Sequence, residues 1–165
     1  MDLLVDFEGG LLHCLPRLRR FAFALSHNGA DADDLTQMTM ERALLARRQW
    51  QPGTKLDSWL YRIMRNLWID TARSRARKAK REAPPEAAEQ IGIDPRPGLE
   101  AAVDLGHVMD AMGKLPDEQR EVVALILVEG FGYREVAEML DLPIGTVSSR
   151  LVRGRAALLE MVGER

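Results

Sequence analysis

The chain has 165 residues, 46% of them hydrophobic and 29% charged, the make-up of one or two small folded domains rather than a disordered tail. One cysteine, Cys14, excludes an internal disulfide framework, and the scattered His13, His27 and His107 offer no zinc-ligand spacing, so neither a metal site nor a cofactor is expected. No basic stretch leads an apolar core at the start and no run nears the ~18 apolar residues that span a bilayer, so a cytoplasmic chain without membrane insertion is expected.

In chain order, Leu11, Leu12, Leu15, Leu18, Phe21, Ala22 and Leu25 recur at three and four and predict one helix with a single apolar stripe, ended by Asn28-Gly29. A second helix begins near the carboxylates of Asp31, Asp33 and Asp34, which suit a helix N-terminus, and is expected to carry Leu35, Met38, Ala43 and Leu44 inward. Gln51-Pro52-Gly53 breaks the chain. A third helix opens after Thr54 to Asp57, buries Leu60, Ile63, Met64 and Leu67, and runs into a basic block.

That block reverses what the net charge of −2 suggests about nucleic acid, because distribution matters more than the sum. Residues 62–81 hold eight basic residues against one acid, Asp70, and carry +7; residues 82–104 hold six acids against Arg96 and carry −5, with prolines at 84, 85, 95 and 97. An acidic proline-rich stretch poor in large apolar residues cannot pack a core, so residues 82–104 read as a flexible linker. It divides the chain into domains over residues 1–81 and 105–165, each small but within the viable range of roughly 60 to 80 residues.

Beyond the linker, Val108, Met109, Met112 and Leu115 mark one helix, and Leu115-Pro116-Asp117-Glu118 starts the next. Gly130 and Gly132 end it. Tyr133 to Leu140, a break at Asp141-Leu142-Pro143 and a last helix from about Gly145 to Met161 form a helix-turn-helix pattern. Ala137 is the small residue at the crossing, and Val136, Leu140, Leu142, Val147 and Leu151 are its interior. No segment alternates with period two for long enough to be a strand, so the fold class is all-α, two small helical domains.

With Val147, Leu151 and Leu158 inward, the last helix turns Ser148, Ser149, Val152 and Arg153 outward, with Thr146 at its start. Hydroxyls and a guanidinium suit base edges, and Val152 suits a thymine methyl; Arg150 and Arg155 lie on the flanks, where phosphates run. A solvated face without a partner is the bland alternative. On the third helix Trp59, Tyr61 and Trp68 interleave with Arg62, Arg65, Asn66 and Arg73, a mixture that suits single-stranded nucleic acid. The bland alternative puts Trp59 and Trp68 in the core and pairs Asp70 with Arg73. Asp33, Asp34 and Gln37 form a third polar group, which helix capping explains in part.

These residues resemble the bacterial extracytoplasmic-function (group IV) sigma factors, two-domain specificity subunits of RNA polymerase. The resemblance rests on Ala32-Asp-Asp-Leu-Thr-Gln37, on Ser58-Trp-Leu-Tyr-Arg-Ile-Met-Arg-Asn66 with Ile69, Asp70 and Arg73, and on Tyr133-Arg-Glu-Val-Ala137 through Pro143-Ile-Gly-Thr-Val147 to Ser149-Arg150 and Arg153-Gly-Arg155. Phe21-Ala-Phe-Ala-Leu25, with Asn28 and Ala32-Asp33-Asp34-Leu35, resembles the alphaproteobacterial general-stress branch.

The resemblance implies that the first domain (region 2) binds the clamp coiled coil of core polymerase through Asp33, Asp34 and Gln37. It also implies that this domain captures the minus-10 strand with a flipped base in the loop over residues 51–58, with Asn66 on the adjoining helix, beside the Trp59, Tyr61, Arg62, Arg65 and Arg73 read above as strand-binding. The second domain (region 4) then reads the minus-35 duplex through Thr146, Ser148, Ser149, Val152 and Arg153, beside the Arg150 and Arg155 read above as facing phosphates. Met38 stands where relatives often carry an acid, and Ser148 where they frequently carry a base. Promoter DNA, core polymerase and an anti-sigma factor are the implied partners, in a stress response, with no catalytic residues. The rivals are a sigma-like decoy that sequesters an anti-sigma factor without DNA, a dimeric helix-turn-helix repressor, and an enzyme. The decoy needs no basic third helix, the repressor explains only the second half, and an enzyme lacks any nucleophile-base spacing, P-loop or metal motif here.

Overall fold

The structure, a computed structural model, describes residues 3–81 and 100–163. The first half holds three helices: α1 (Leu3–Ser26), α2 (Gly29–Leu45) and α3 (Leu56–Arg81), with a 3-10 turn at Arg47–Gln49 between the last two. The second half holds α4 (Glu100–Gly113), α5 (Asp117–Val123), α6 (Tyr133–Leu140) and α7 (Ile144–Gly163), with a π-helical turn, Ala124–Val128, closing α5. Among the described residues there is no strand, and no helix is long and apolar enough to cross a membrane. The acidic stretch read as a linker lies mostly outside the described residues, but its last five positions are helical, because α4 already begins at Glu100.

Local chemistry sets the corners. His27 takes a positive φ of 50°, Asn28 is extended, and its Oδ1 accepts the Asp31 N–H at 3.0 Å. Such a cap contributes about 1 kcal/mol to the start of α2. Asp141, with φ 53°, ends α6, while Leu142 donates back to the Ala137 carbonyl at 3.0 Å and Val147 to the Pro143 carbonyl at 3.2 Å. These bonds make the turn between α6 and α7, the first satisfying a carbonyl that the end of α6 would leave bare and the second opening α7. After α5 the Glu129 N–H reaches five residues back to the Ala124 carbonyl at 2.9 Å, and Gly130, at φ 79°, turns the chain toward α6.

The first-half core comprises Leu11, Leu18, Phe21, Ala22 and Leu25 of α1, Ala32, Leu35 and Ala43 of α2, and Leu60, Met64 and Leu67 of α3. Leu60 is completely buried, worth ~2 to 3 kcal/mol for one side chain. Leu12 departs from the expected stripe and is 67% exposed. On α2 the expected inward set is corrected more deeply: Met38 and Leu44 are exposed, and Thr36 and Thr39 are buried instead. One residue turns a helix by ~100°, so the face through Ala32, Leu35, Thr39 and Ala43 excludes Met38. Thr36 and Thr39 satisfy their hydroxyls by donating to the carbonyls of Ala32 and Leu35, each at 2.7 Å.

In the second half Met112, Leu115, Val122, Val123, Leu125, Val136, Leu140, Val147, Leu151 and Leu158 are buried. A Cβ at Gly154 would lie 2.7 Å from Val123 Cγ2, so the missing side chain is what lets α7 close on α5. The two halves pack together, α3 against α6 and α1 against α4 and α5.

Candidate nucleic-acid interface

The two arginine-bearing helices present different surroundings. On α7 Val152 is 65% exposed, and Arg153 and Arg155 are exposed beside it. Thr146, Ser148 and Ser149 are half-buried, and Ser149 Oγ donates to the Thr146 carbonyl at 3.2 Å. This side is opposite the buried Val147, Leu151 and Leu158, so α7 offers a mixed hydroxyl, apolar and guanidinium face. Arg150 does not belong to it. Its guanidinium turns toward α5, 3.7 Å from Glu118, and lines a 340 Å³ cleft between the halves together with Arg65, Trp68 and Glu121.

On α3 the second half covers part of the expected strand-binding face. Arg65 Nε donates to Glu121 at 3.1 Å, and Arg62 donates to the Glu138 carbonyl. Glu121 is buried, and burial raises its carboxyl above the ordinary range against the pull of Arg65. Tyr61 is the clearest correction: only 1% exposed, it is wedged edge-on between Phe21 (4.9 Å) and Phe131 (5.1 Å). Its ring face is closed to a base in this arrangement, and burial, reinforced by Glu129, pushes its phenol up, so it remains a donor. Asn66 and Arg73 stay exposed, and Trp59 is half-buried against Phe7 at 6.1 Å. Lys55, Ser58, Trp59 and Arg62 face Glu135, Glu138 and Met139 across a 550 Å³ cavity, beside the loop expected to receive a base.

Sequence reasoning missed Glu129. Its carboxylate is 1% exposed and accepts both Arg20 Nε and Nη2 at 2.9 Å, the Tyr61 hydroxyl at 2.8 Å and Arg17 Nε at 3.4 Å. Arg17 also reaches Asp57 at 3.3 Å and lies over the rings of Tyr61 and Phe131. The signal was an acid ending the apolar run over residues 122–128, directly before Gly130-Phe131-Gly132. Nothing local says which distant cations it meets.

On α2 Asp33, Asp34 and Gln37 are exposed, although Asp33 pairs with Arg19 at 2.9 Å and Gln37 donates to Glu41 at 3.3 Å. Met38 and Leu45, exposed by 41% and 86%, extend the same helix surface with apolar area. Among the described residues no group of three or more His, Cys, Asp or Glu could hold a metal ion.

Comparison with known proteins fits both halves. The family described as Sigma-70 region 2 matches residues 11–78, and that described as Sigma-70, region 4 matches residues 105–158. The chain is 36% identical over 159 residues to the ECF RNA polymerase sigma factor EcfG of Rhodopseudomonas palustris, covering 96% of this chain and 86% of that one. It is 38% identical over 154 residues to the ECF sigma factor SigE of Mycolicibacterium smegmatis, covering 90% of this chain and 58% of that longer one. Among solved structures it is similar to the sigma factor RpoE of Bartonella quintana in complex with the anti-sigma factor NepR, with a TM-score of 0.87, 34% identity, and coverage of 97% and 99% of the two chains.

Proposed function

The chain belongs to the extracytoplasmic-function sigma factors of RNA polymerase, and from that premise we propose how it divides promoter recognition among its surfaces. The α2 ridge of Asp33, Asp34 and Gln37 docks on the clamp coiled coil of core polymerase, with Met38 adding apolar contact where relatives often carry an acid. The α3 group of Trp59, Arg62, Arg65, Asn66 and Arg73, with the loop before it, captures the minus-10 strand. The α7 face of Thr146, Ser148, Ser149, Val152, Arg153 and Arg155 reads the minus-35 duplex. The observation that carries this reading is the exposed Val152 and Arg153 face on a helix-turn-helix whose Val136, Leu140, Val147 and Leu151 are buried, with Ala137 and Leu142 half-buried beside them. A helix with that distribution fits a major groove.

The chain supplies promoter choice and strand opening, and the covalent chemistry stays with the polymerase. Extruding a base costs a few kcal/mol, while each base stacked on an aromatic surface returns ~1 to 3 kcal/mol. Capture of one or two bases therefore just balances local opening at sequences that fit. An anti-sigma factor holds the chain inactive in the cytoplasm until a stress signal arrives, a role supported by the similar Bartonella quintana factor having been solved with NepR.

Run-off transcription with core polymerase on a promoter library, with and without this chain, tests the reading. Promoter-specific transcripts that depend on the chain are expected; their absence alongside tight anti-sigma binding would favour the decoy. Within that assay Asp34→Ala should weaken core binding on every promoter. Asn66→Ala should spare core binding and lose open complexes, with activity partly restored by a template pre-melted across the minus-10 element. Equal rescue of both variants, or of neither, would end the proposed split between the two surfaces.

A further inference from the structure

Three arginines that line the 340 Å³ cleft between the halves are well buried, with side chains 11% (Arg120), 20% (Arg65) and 21% (Arg150) exposed. A guanidinium taken that far from water needs acceptors for its N–H groups. Arg120 finds the carbonyls of Leu25, Met112, Gly113 and Leu115, at 2.8 to 3.1 Å. Arg65 finds Glu121 at 3.1 Å. Arg150 finds no acceptor among the described residues, because Glu118, 3.7 Å away, supplies opposite charge from beyond hydrogen-bond reach.

The other groups in the cleft are incomplete in complementary ways. The Glu118 carboxylate accepts no hydrogen bond among the described residues, and the Arg73 guanidinium has neither a hydrogen bond nor an ion pair among them. Trp50 and Trp59 pack on Phe7, with ring centroids at 5.5 and 6.1 Å, whereas Trp68 is half-buried in the cleft wall and meets no other ring among the described residues. Once Arg65 is set against Glu121, Arg120 against Asp117 and Arg150 against Glu118, Arg73 leaves the cleft with a positive excess. An anion with a flat face complements that excess and the bare indole. The volume lies within the range of roughly 300 to 1,000 Å³ usual for small-ligand sites, which concentrate where domains meet.

We propose that this cleft is a small-molecule site for a guanine nucleotide. The base stacks on Trp68, and its ring N–H and exocyclic amino group, two donors side by side, meet the Glu118 carboxylate. The phosphates take the N–H groups of Arg150 and Arg73. Glu118 and Arg150 thereby exchange a loose attraction for hydrogen bonds to the two ends of one ligand. Adenine places a ring acceptor beside its amino group, so the same carboxylate disfavours it. Trp68, Glu118 and Arg150 have no part in the promoter reading above, and the site does not depend on that reading.

The test is titration calorimetry on the full chain, without magnesium, with guanosine diphosphate, adenosine diphosphate and inorganic pyrophosphate as probes. Guanosine diphosphate should fill a single saturable site, bind about tenfold more tightly than adenosine diphosphate, and quench part of the tryptophan emission. R150Q should weaken its binding roughly tenfold. W68L should weaken it by a similar factor and remove the quench. E118A, at an exposed position, keeps the test open should either of those variants fail to fold: it should bring the guanine and adenine nucleotides to about equal affinity. A single-stranded minus-10 oligonucleotide should bind R150Q and the parent alike.

No saturable binding of guanosine diphosphate by the parent would overturn the site, as would parental affinity in both R150Q and W68L. Pyrophosphate bound as tightly as the nucleotide would reduce the cleft to a phosphate patch and overturn the stacked base. Equal affinities of the parent for the guanine and adenine nucleotides would overturn the contact with Glu118. An oligonucleotide that weakens with R150Q as the nucleotide does would assign the cleft to the promoter strand instead.

Discussion

Helices α3 and α7 both carry arginines that the sequence aims at nucleic acid, and they differ in what stands opposite. On α7 the outward face of Val152, Arg153 and Arg155 is exposed, and the same helix buries Val147, Leu151 and Leu158. On α3 Arg62 and Arg65 turn onto α6 and α5, and Tyr61 disappears between Phe21 and Phe131. A helical period identifies a polar face in both cases. It carries no information about whether water or another part of the chain covers that face.

The largest expected effect breaks the comparison on its covered side. Arg65→Ala strips Glu121 of its partner in a mostly buried setting and should cost about 3 kcal/mol in urea unfolding, whereas Arg153→Ala should remain within about 0.5 kcal/mol of the parent. The Arg65→Ala deficit should also depend on pH. Burial holds the folded pKa of Glu121 above its unfolded value, so the folded state gains by protonation. Without Arg65 that pKa rises further, so the deficit is full above the variant's folded pKa and shrinks as pH falls from there toward the parent's. Equal stabilities for the two variants would mean that α3 is as open as α7.

A middle-sized effect sharpens the exposed side. Arg153→Ala should weaken minus-35 duplex binding by roughly 1 to 3 kcal/mol and relax preference at one or two base pairs, while Arg155→Ala should weaken all sequences alike and flatten the salt dependence. Competition binding over single-base promoter variants distinguishes them. Identical, sequence-independent losses would assign Arg153 to phosphate only.

The smallest effect lies where the cover on α3 ends. Arg75 donates two hydrogen bonds to Asp31, at 2.7 and 2.9 Å, and holds that carboxyl below the usual aspartate range. A depressed folded pKa gives stability that is present above the unfolded value and lost as pH falls through the folded one. Arg75 is exposed and Asp31 half-buried, a pair still reached by solvent, so Asp31→Asn should cost about 0.5 kcal/mol at neutral pH. In acid titrations of stability the two proteins should converge as pH falls. Parallel curves would show that the pair contributes nothing.

How far the chain could be read in advance depends on the range of the forces involved. Corners made by neighbours were legible: Asn28 before α2, Pro116 before α5 and Asp141 after α6 stand where their backbone chemistry requires. Stripes with one dominant face, such as Leu60, Met64 and Leu67, were legible too. The second helix was read poorly because its buried side uses Thr36 and Thr39, whose hydroxyls bond their own backbone and so pass as apolar once inside. Tyr61 and Glu129 were beyond local reading. They are 68 residues apart in sequence, and their hydrogen bond exists only because the halves pack together.

The turn at Ala124–Val128 gives the chain a sensitivity to length that no side-chain substitution would reveal. A π-turn holds one residue more than the α-helical turn it replaces. Deleting one residue from this turn would let α5 continue as ordinary helix with the downstream residues turned nearly the same way, because the wide turn already absorbs the extra residue. Glu129 would stay turned toward Arg20 and Tyr61, whereas a second deletion, with no extra residue left to give up, would swing it by ~100° about the helix axis. The meeting of the two halves is thus written partly as a count of residues: a gap of one position there is absorbed, and a gap of two is not.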